Sequence, residues 1–581
     1  MALAAPVHAF EYRFDASDSG LRDSLAGAAS LTLLKQQDQE PSPQEIVAAA
    51  QADYRGITEA LYANGYFAGT VKIRIDGREA ATISQIQLPV SVASVAVDVE
   101  TGPPFRFGKT NIGPLANGAL MSPALATGQP ASLASIRSAV DAAIEGWRQQ
   151  GHAKARLAQQ QITANHTTRQ LAVSARIAPG PRVRFDPLLV TGTTGVRPDR
   201  IREIAGLPEG TVFDPDEIAA STTRLRRTGT FGAAILTEAD TIAQDGTLAI
   251  TADVSDRLPR SLGAGAEVSS LDGVALSAYW LHRNLLGGAE RLRIDAEVSG
   301  IGGQTGGVDG NASIRFDRPA TFNEDTDFFA EIEIERRNDA TLDSTSATVL
   351  TGIRRYASAN RTYDLGIGAR RARTTDAFGR RDYTMLMLPL AAVFDYRDAP
   401  LNATNGWYAN VELTPFVGIS GIPNGAATTA DLRAYHSFGS TRPVTIAGRF
   451  QIGSVAGPSL AQSPADLLFF SGGGGTVRGQ PFQSNSIHLG GGQYVGGRSF
   501  LGLSAELRIG ITDDISSVLF ADAGYIGAEM FPDGSGTWHS GAGVGLRYDT
   551  SIGPLRVDVG LPVSGPGDDG FKLYIGIGQA F

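Results

Sequence analysis

The 581-residue chain contains no cysteine, which excludes disulfide bridges, thiolate metal sites and a cysteine nucleophile. It also lacks any run of about 18 uninterrupted apolar residues, so helical membrane spans are excluded. A chain of this kind that crosses a bilayer does so with strands. Positive charge is in short supply: 50 Lys and Arg stand against 60 Asp and Glu, a net charge of −10. Phosphate binding needs a basic footprint, so no nucleic-acid partner is expected. Catalytic signatures are missing too. The seven His form no H-E-x-x-H or i, i+4 pair, and neither a G-x-S-x-G elbow nor a Walker loop occurs. The glycines at 472–475 lack the Lys and the helix that would cradle a phosphate. No catalytic residue, metal ligand or cofactor is therefore expected, and the chain does not read as an enzyme.

What is present is glycine, 70 residues of it, with no G-X-Y period and with aromatics retained at 8%. That combination excludes collagen and argues against disorder. Mean hydropathy is −0.06, a value that suits a soluble protein and equally a barrel whose strands alternate lipid-facing and lumenal residues. The length exceeds a single core of roughly 100–200 residues, so several domains are predicted. Met1 to Phe10 reads MALAAPVHAF, and Val7-His8-Ala9 has the small-x-small form of a signal-peptidase site. Residues 1–9 are read as the remnant of an export signal, with the mature chain starting near Phe10; an ordinary Ala-rich terminus fits the same stretch.

From Phe10 to about Arg257, short β-rich runs alternate with amphipathic helices. The last unit is the clearest. A strand at Val183–Val190 is followed by a helix at Pro198–Ala205 ending at Gly206 and by a second helix capped by Asp214 with Pro215 at its first position. Two strands then follow, Ala233–Ala239 and Thr247–Val254, around the turn Gln244-Asp245-Gly246. The order is βααββ. Upstream, a strand at Val92–Val99, a helix at Ser132–Gln150 and a strand pair at Arg156–Ile162 and Gln170–Ile177 repeat the pattern. Before them a helix at Pro43–Asn64 leads through Gly65-Tyr66-Phe67 into Thr70–Ile75. Three units of about 75–90 residues form a repeat array, divided as 10–88, 89–178 and 179–257.

Beyond Leu258 helical periodicity gives way to runs of about ten residues that alternate apolar and polar. Leu292, Ile294, Ala296 and Val298 share one face of a strand, with Arg291, Arg293, Asp295 and Glu297 on the other. Glu331, Glu333 and Glu335 alternate with Ile332 and Ile334. Leu501, Leu503, Ala505, Leu507, Ile509 and Ile511 oppose Glu506 and Arg508. Charges on one face and aliphatics on the other fit a barrel with a wet interior; a soluble double sheet fits the alternation as well. The 324 residues of 258–581, at roughly 20 per strand with its connection, predict about 16 strands. Phe571, Leu573, Ile575, Ile577 and Phe581 are placed on one face of the last strand.

The helix endings NGYF (64–67), QGHA (150–153) and TGTF (228–231) resemble the "GY/GF" step of POTRA domains. Ser471 to Gln480, SGGGGTVRGQ, resembles the VRGY/VRGF signature in the inward-folded loop of the BamA/TamA superfamily of outer-membrane insertases, with Gln480 where that family usually has an aromatic. Phe520-Ala521-Asp522-Ala523-Gly524 is similar to its late-strand F-x-D-x-G. Further similar stretches run in register. They are Tyr279 to Glu290, Asp395 to Trp407 with Ala403 in place of a second proline, and Gly543 to Tyr548 followed by Ile552 to Asp558. A terminal aromatic, Phe581, resembles the assembly signal of such barrels. The whole chain is most like the TamA branch: three α+β (βααββ) POTRA repeats followed by a transmembrane antiparallel β-barrel of about 16 strands at 258–581.

The resemblance implies a location in the cell outer membrane, among its lipids, with the N-terminal domains in the periplasm. It implies a lumenal loop lock in which Arg478, beside Gly479, meets Asp522, with Phe520 and Gly524 on the same wall face. A mobile glycine loop and a strand Asp meeting water is the plainer alternative. It further implies a factor that inserts or exports client outer-membrane or secreted proteins through a lateral seam, with a TamB-like inner-membrane-anchored partner. Gly576 and Gly578 are placed on the lumenal face of the terminal strand, which they would weaken, with Phe581 at its end. Two rival readings remain open at this point: a two-partner secretion exporter that passes an unfolded substrate through the lumen, and a passive pore. Three repeats favour the insertase.

Overall fold

The computed structural model describes residues 10–36, 41–84, 88–269, 273–303, 306–339, 341–439, 442–551, 553–565 and 570–581. The proposed signal remnant 1–9 and Ile552 lie outside the described residues. Two compact units divide the chain, the second gathering Val190–Gly206, Ala220–Leu236 and Ala252–Phe581.

The first unit begins with β1 (Glu11–Ala16), α1 (Arg22–Gly27), α2 (Ser30–Lys35), α3 (Pro43–Ala63), β2 (Thr70–Ile75), β3 (Arg78–Glu79) and β4 (Ser94–Glu100). Helix α3 starts where sequence chemistry says it should. Ser42 Oγ accepts from Glu45 N at 3.3 Å while Glu45 returns a carboxylate oxygen to Ser42 N at 2.7 Å, and Pro43 fills the first turn. Its apolar stripe, Ile46, Val47, Ala50, Ile57 and Leu61, is buried with Ile73, Ile75, Val95, Val97 and Val99. Asp53, on the same helix, accepts from the backbone N of Ser30 at 2.6 Å and of Leu31 at 3.0 Å, satisfying the exposed start of α2. The sheet order is β1-β4-β2-β3, with β1 parallel to β4.

That order corrects the boundary expected at 88/89. The strand predicted at Val92–Val99 belongs to the first sheet, because Val95, Val97 and Val99 alternate into the core beneath α3. The second sheet opens instead with β5 (Arg106–Gly113), which sequence periodicity did not single out. It continues through α4 (Leu133–Arg148), β6 (Arg156–Asn165) and β7 (Gln170–Ala178) in the order β5-β7-β6. Its core includes Phe105, Phe107, Ile136, Val140, Leu171 and Val173.

Residues 184–256 form β8 (Arg184–Phe185), β9 (Leu189–Thr193), α5 (Pro198–Ala205), α6 (Pro215–Arg227), β10 (Phe231–Glu238), β11 (Thr247–Leu248) and β12 (Ile250–Asp256). The single strand predicted at 183–190 is thus split in two, and each piece joins a different sheet: β8 pairs with β11, and β9 lies beside β12 in the order β10-β12-β9.

The first two glycine steps share one geometry. Gly65 adopts φ +88° and its carbonyl accepts from Phe105 N at 2.9 Å. Gly151 adopts φ +96° and its carbonyl accepts from Val183 N at 2.9 Å. Each left-handed glycine therefore holds the first residue of the segment that follows.

The second unit carries one antiparallel sheet. Its strands are β13 (Arg260–Ser269), β14 (Gly273–His282), β15 (Arg291–Ile301), β16 (Asp309–Arg318), β17 (Thr326–Asp339), β18 (Leu342–Ser358), β19 (Arg361–Asp376), β20 (Gly379–Met387), β21 (Leu390–Asp395), β22 (Gly406–Ser420), β23 (Gly425–Phe438) and β24 (Val444–Ala456). A hairpin, β25 (Ile487–Gly490) and β26 (Gln493–Val495), stands apart from it. The sheet resumes with β27 (Ser499–Gly510), β28 (Ile515–Gly527), β29 (Thr537–Tyr548), β30 (Leu555–Ser564) and β31 (Lys572–Ile577). Neighbours in sequence are neighbours in space throughout. Strands β20 and β21 both lie between β19 and β22, so they are two halves of one strand interrupted at Leu388-Pro389.

The two faces of this sheet differ in chemistry. Ile332, Ile334, Val349, Ile367 and Ile575 stand exposed on one face. On the other, Glu331 meets Arg315 at 2.7 Å, Glu333 accepts from Asn311 at 2.8 Å, and Arg449 joins Asp431 at 2.8 Å. Charged residues thus pair with one another inside while aliphatics face outward, the inverse of a water-soluble sheet. The chain end departs from the expected single face: β31 stops at Ile577, Gly578 turns it at φ +88°, and Phe581 is buried with Tyr435, Ala447 and Ala403. Gly578 is therefore a turn residue rather than a strand position, and Phe581 does not share the face of Ile575 and Ile577.

Candidate functional site

Between β24 and β27 the chain runs for about 40 residues, and its glycine run folds against the charged face of β27–β30. Gly472 at φ +120° and Gly473 at φ +93° reverse the backbone, and Gly473 N donates to Val477 O at 3.1 Å to close a tight turn. Ser471 and Asn485 exchange backbone hydrogen bonds of 3.2 and 2.9 Å across the base. Ser471 Oγ also meets His539 Nε2 at 2.8 Å.

This turn presents Arg478 to the wall. Its Nε and Nη2 donate to Asp522 Oδ2 and Oδ1 at 2.8 and 3.0 Å, a bidentate fork, and its own backbone N adds a bond of 3.0 Å to Oδ2. Nη1 reaches Glu506 at 2.6 Å and Asp558 at 3.2 Å. The guanidinium also lies 3.7 Å from the centre of the Phe520 ring. The Arg478 side chain is 3% exposed and those of Glu506 and Asp558 are fully buried. Behind it, Arg547 pairs with Asp558 at 2.5 Å and Arg508 with Glu506 at 2.8 Å. Every buried charge in this cluster has an opposite neighbour, which such burial requires.

Shape matters as much as charge here. Gly479 sits at φ +92°, and a Cβ there would lie 2.4 Å from Leu561 O. On the wall, a Cβ at Gly541 would come within 1.9 Å of Arg478 O, and one at Gly560 within 2.8 Å of Gly479 N. Gly524 completes the recess, since a Cβ there would meet Ser471 Oγ at 2.3 Å. Gly479 N donates to the Tyr574 hydroxyl at 3.0 Å. Gln480, the residue that departs from the resemblance, donates through Nε2 to Ser540 O at 2.7 Å and Ser564 O at 2.9 Å, bridging β29 and β30. The amide nitrogen, with two hydrogens, thereby serves two carbonyls at once, which a phenyl ring or a single phenol hydrogen does not.

The residue pair predicted from sequence, Arg478 and Asp522, is brought together, with Phe520 and Gly524 beside it. Glu506, Arg508, Arg547, Asp558, Gly541, Gly560 and Tyr574 were not predicted as part of this site. For Glu506 a signal existed: β27 and β28 pair with Glu506 opposite Phe520, so aligning the hairpin puts it on the wall beside Asp522.

At the end of the sheet, Gly576 lies within β31 opposite Arg556, and a Cβ there would meet Arg556 Nη2 at 3.2 Å. Past Gly578, Gln579 receives Arg547 Nε at 2.8 Å and donates to Asn402 at 2.9 Å, and Arg508 donates to Phe581 O at 3.3 Å. The segment after β31 is thus tied to the same arginines that surround the Arg478 cluster. Strand β31 pairs only with Leu555–Gly560; among the described residues, Leu561–Ser564 of β30 has no partner on that side, and no ladder joins β31 to β13.

The Omp85 superfamily domain matches residues 284–581, more than half of the chain. The chain belongs to the Omp85 superfamily. A POTRA domain, described as a surface antigen variable number repeat, matches residues 183–257 of this Omp85 protein. Among solved structures, BamA from Haemophilus ducreyi lacking POTRA domains 1–3 is similar at a TM-score of 0.60 and 15% identity, covering 81% of this chain and 99% of that one. CdiB from Acinetobacter baumannii is similar at a TM-score of 0.49 and 12% identity, over 80% and 88% of the two chains. The two domain matches place this Omp85 protein in the outer membrane with its POTRA region in the periplasm, and the BamA likeness agrees with the fold.

Proposed function

We propose that this Omp85 protein assembles or translocates client outer-membrane or secreted proteins through a lateral seam between β13 and β31, without turnover of a cofactor. The observation that supports the reading is the short last ladder: among the described residues, β31 pairs with six of the ten residues of β30, Leu555–Gly560, and no ladder joins it to β13. Unpaired backbone groups on a strand edge template an incoming strand by β-augmentation. In this reading the β20 and β21 halves count once, so the barrel has 16 strand positions. Residues 10–101, 105–178 and 183–257 are three POTRA domains, and they dock clients or a TamB-like partner. Arg478, Gly479, Phe520, Asp522 and Gly524 lock the loop, and Gly576, Gly578 and Phe581 shape the seam.

A reversible tether tests it. The chain has no cysteine, so pairs introduced across β13 and β31 form the only disulfides. Oxidising a pair that links them should stop assembly of a client barrel in proteoliposomes, and reductant should restore it. Unimpaired assembly with the seam locked would overturn the seam, and continued passage of an unfolded substrate would favour an exporter that uses the lumen.

A further inference from the structure

Residues 459–467, ahead of the glycine run, carry a second cluster that the Arg478 lock does not use. Gln462 Oε1 accepts from Ser459 Oγ at 2.9 Å, closing a short turn at Leu460–Gln462. A second turn, Ala465–Leu467, carries Asp466 to the wall formed by β19 and β20. There Arg370 Nη2 donates to Asp466 Oδ2 at 2.5 Å, and the Tyr383 hydroxyl donates to Oδ1. Arg370 reaches Thr348 Oγ1 at 3.4 Å and Glu335 at 3.5 Å as well. Arg381 holds the backbone of the same segment, donating to the carbonyls of Ala461 at 2.6 Å and Ser463 at 2.9 Å while pairing with Asp376 at 2.5 Å. Leu467 packs on a small apolar cluster of Ala372, Tyr383, Met385, Phe416 and Ile422.

The Asp466 side chain is 2% exposed. A carboxylate that deep is tolerated only with strong partners, and removing one leaves an uncompensated charge. The two clusters grip different walls: Arg478 touches β27, β28 and β30, Asp466 touches β19 and β20, and β22, β23 and β24 lie between them in the sheet. A loop pinned at one point pivots about it, whereas one pinned at two ties the walls it joins.

We propose that Asp466 is a positioning residue that clamps the loop to β19 and β20 independently of Arg478, making residues 459–478 a brace between two walls of the barrel. The proposal rests on the barrel reading but not on any client, and its test reads loop position alone. In the cysteine-free chain, Ala465→Cys places a thiol at a buried site. Its labelling by a maleimide is followed in proteoliposomes holding the full chain, with folding verified by heat-modifiable gel migration. Asp466→Asn or Arg370→Gln should raise the labelling rate by about tenfold through local opening. Tyr383→Phe, which removes one donor only, should give a smaller rise in a barrel that still folds. Arg478→Gln should leave the rate within about twofold, as independent sites behave. Equal reactivity in the Arg478 and Asp466 variants would reduce the two clamps to one and overturn the proposal. So would continued protection of the thiol when Asp466, Arg370 and Tyr383 are each altered.

Discussion

Arg478 is the residue on which the loop's position turns, and its energetics are asymmetric. Replacing it with Ala leaves Glu506, Asp522 and Asp558 buried without their shared cation, a loss of about 3–5 kcal/mol for one broken buried pair. Arg478→Lys should recover little, because a point charge cannot reproduce the fork on Asp522. Urea unfolding of the lipid-reconstituted protein, read by gel mobility, measures both. Gly541→Ala should be nearly as damaging although it changes no charge, since its Cβ would fall 1.9 Å from Arg478 O. If that variant kept native stability, the close approach of loop and wall would be wrong. At this scale the sequence spoke clearly where motif and chemistry coincide, as at Arg478 and Asp522. It placed Arg547 and Asp558 in a matching hairpin but gave them no part in the lock, because their partners come from strands whose registers only pairing reveals. Phe581 misled for a related reason: alternation extrapolates a strand, and a single left-handed glycine ends it.

Elements obey the same logic with larger stakes. Helices α3, α5 and α6 carry their caps and prolines in sequence, and their placement followed. Strand β5 carried no such signature, since its RFGKTNIG alternation is broken at Phe107-Gly108, where the register with β7 shifts. Asp53 offers a test of the first domain: Asp53→Ala strands two backbone N–H groups at the start of α2, costing about 1–3 kcal/mol. Faster hydrogen exchange at residues 22–35 of the full chain is the expected readout. Helix α6 offers a pH test. Burial works to raise the Asp325 carboxyl, yet hydrogen bonds and charge from Arg224 and Arg227 hold it below its ordinary value. A lowered value in the folded state means that this bond stabilises fully above a pH of about 4, and the contribution fades as pH falls through the folded value. Protection at α6, the exchange rate taken relative to its intrinsic value at each pH, should therefore fall as the pH drops below about 4 in the parent, and Asp325→Asn should remove that pH dependence while giving lower protection at neutral pH.

Over the whole molecule, the decisive feature is which solvent each face of the large sheet meets. Composition was blind to it, since a mean hydropathy of −0.06 averages an outer aliphatic face with an ion-paired inner one. Period-two alternation revealed two faces without naming their surroundings; the paired charges opposite exposed Ile and Val supply the direction. Val349 sits near the middle of β18 on the outer face and is 54% exposed. If that face meets hydrocarbon, Val349→Arg should cost about 2–4 kcal/mol in vesicles, the range for a cation near the bilayer midplane of a barrel. The same change at an exposed position of the periplasmic region, such as Leu33→Arg, should stay within about 0.5 kcal/mol. Unfolding titrations of the two variants in lipid vesicles give the comparison. A Val349 variant as stable as the parent would mean that water, not lipid, covers the aliphatic face, and both the loop lock and the seam would lose the barrel they require.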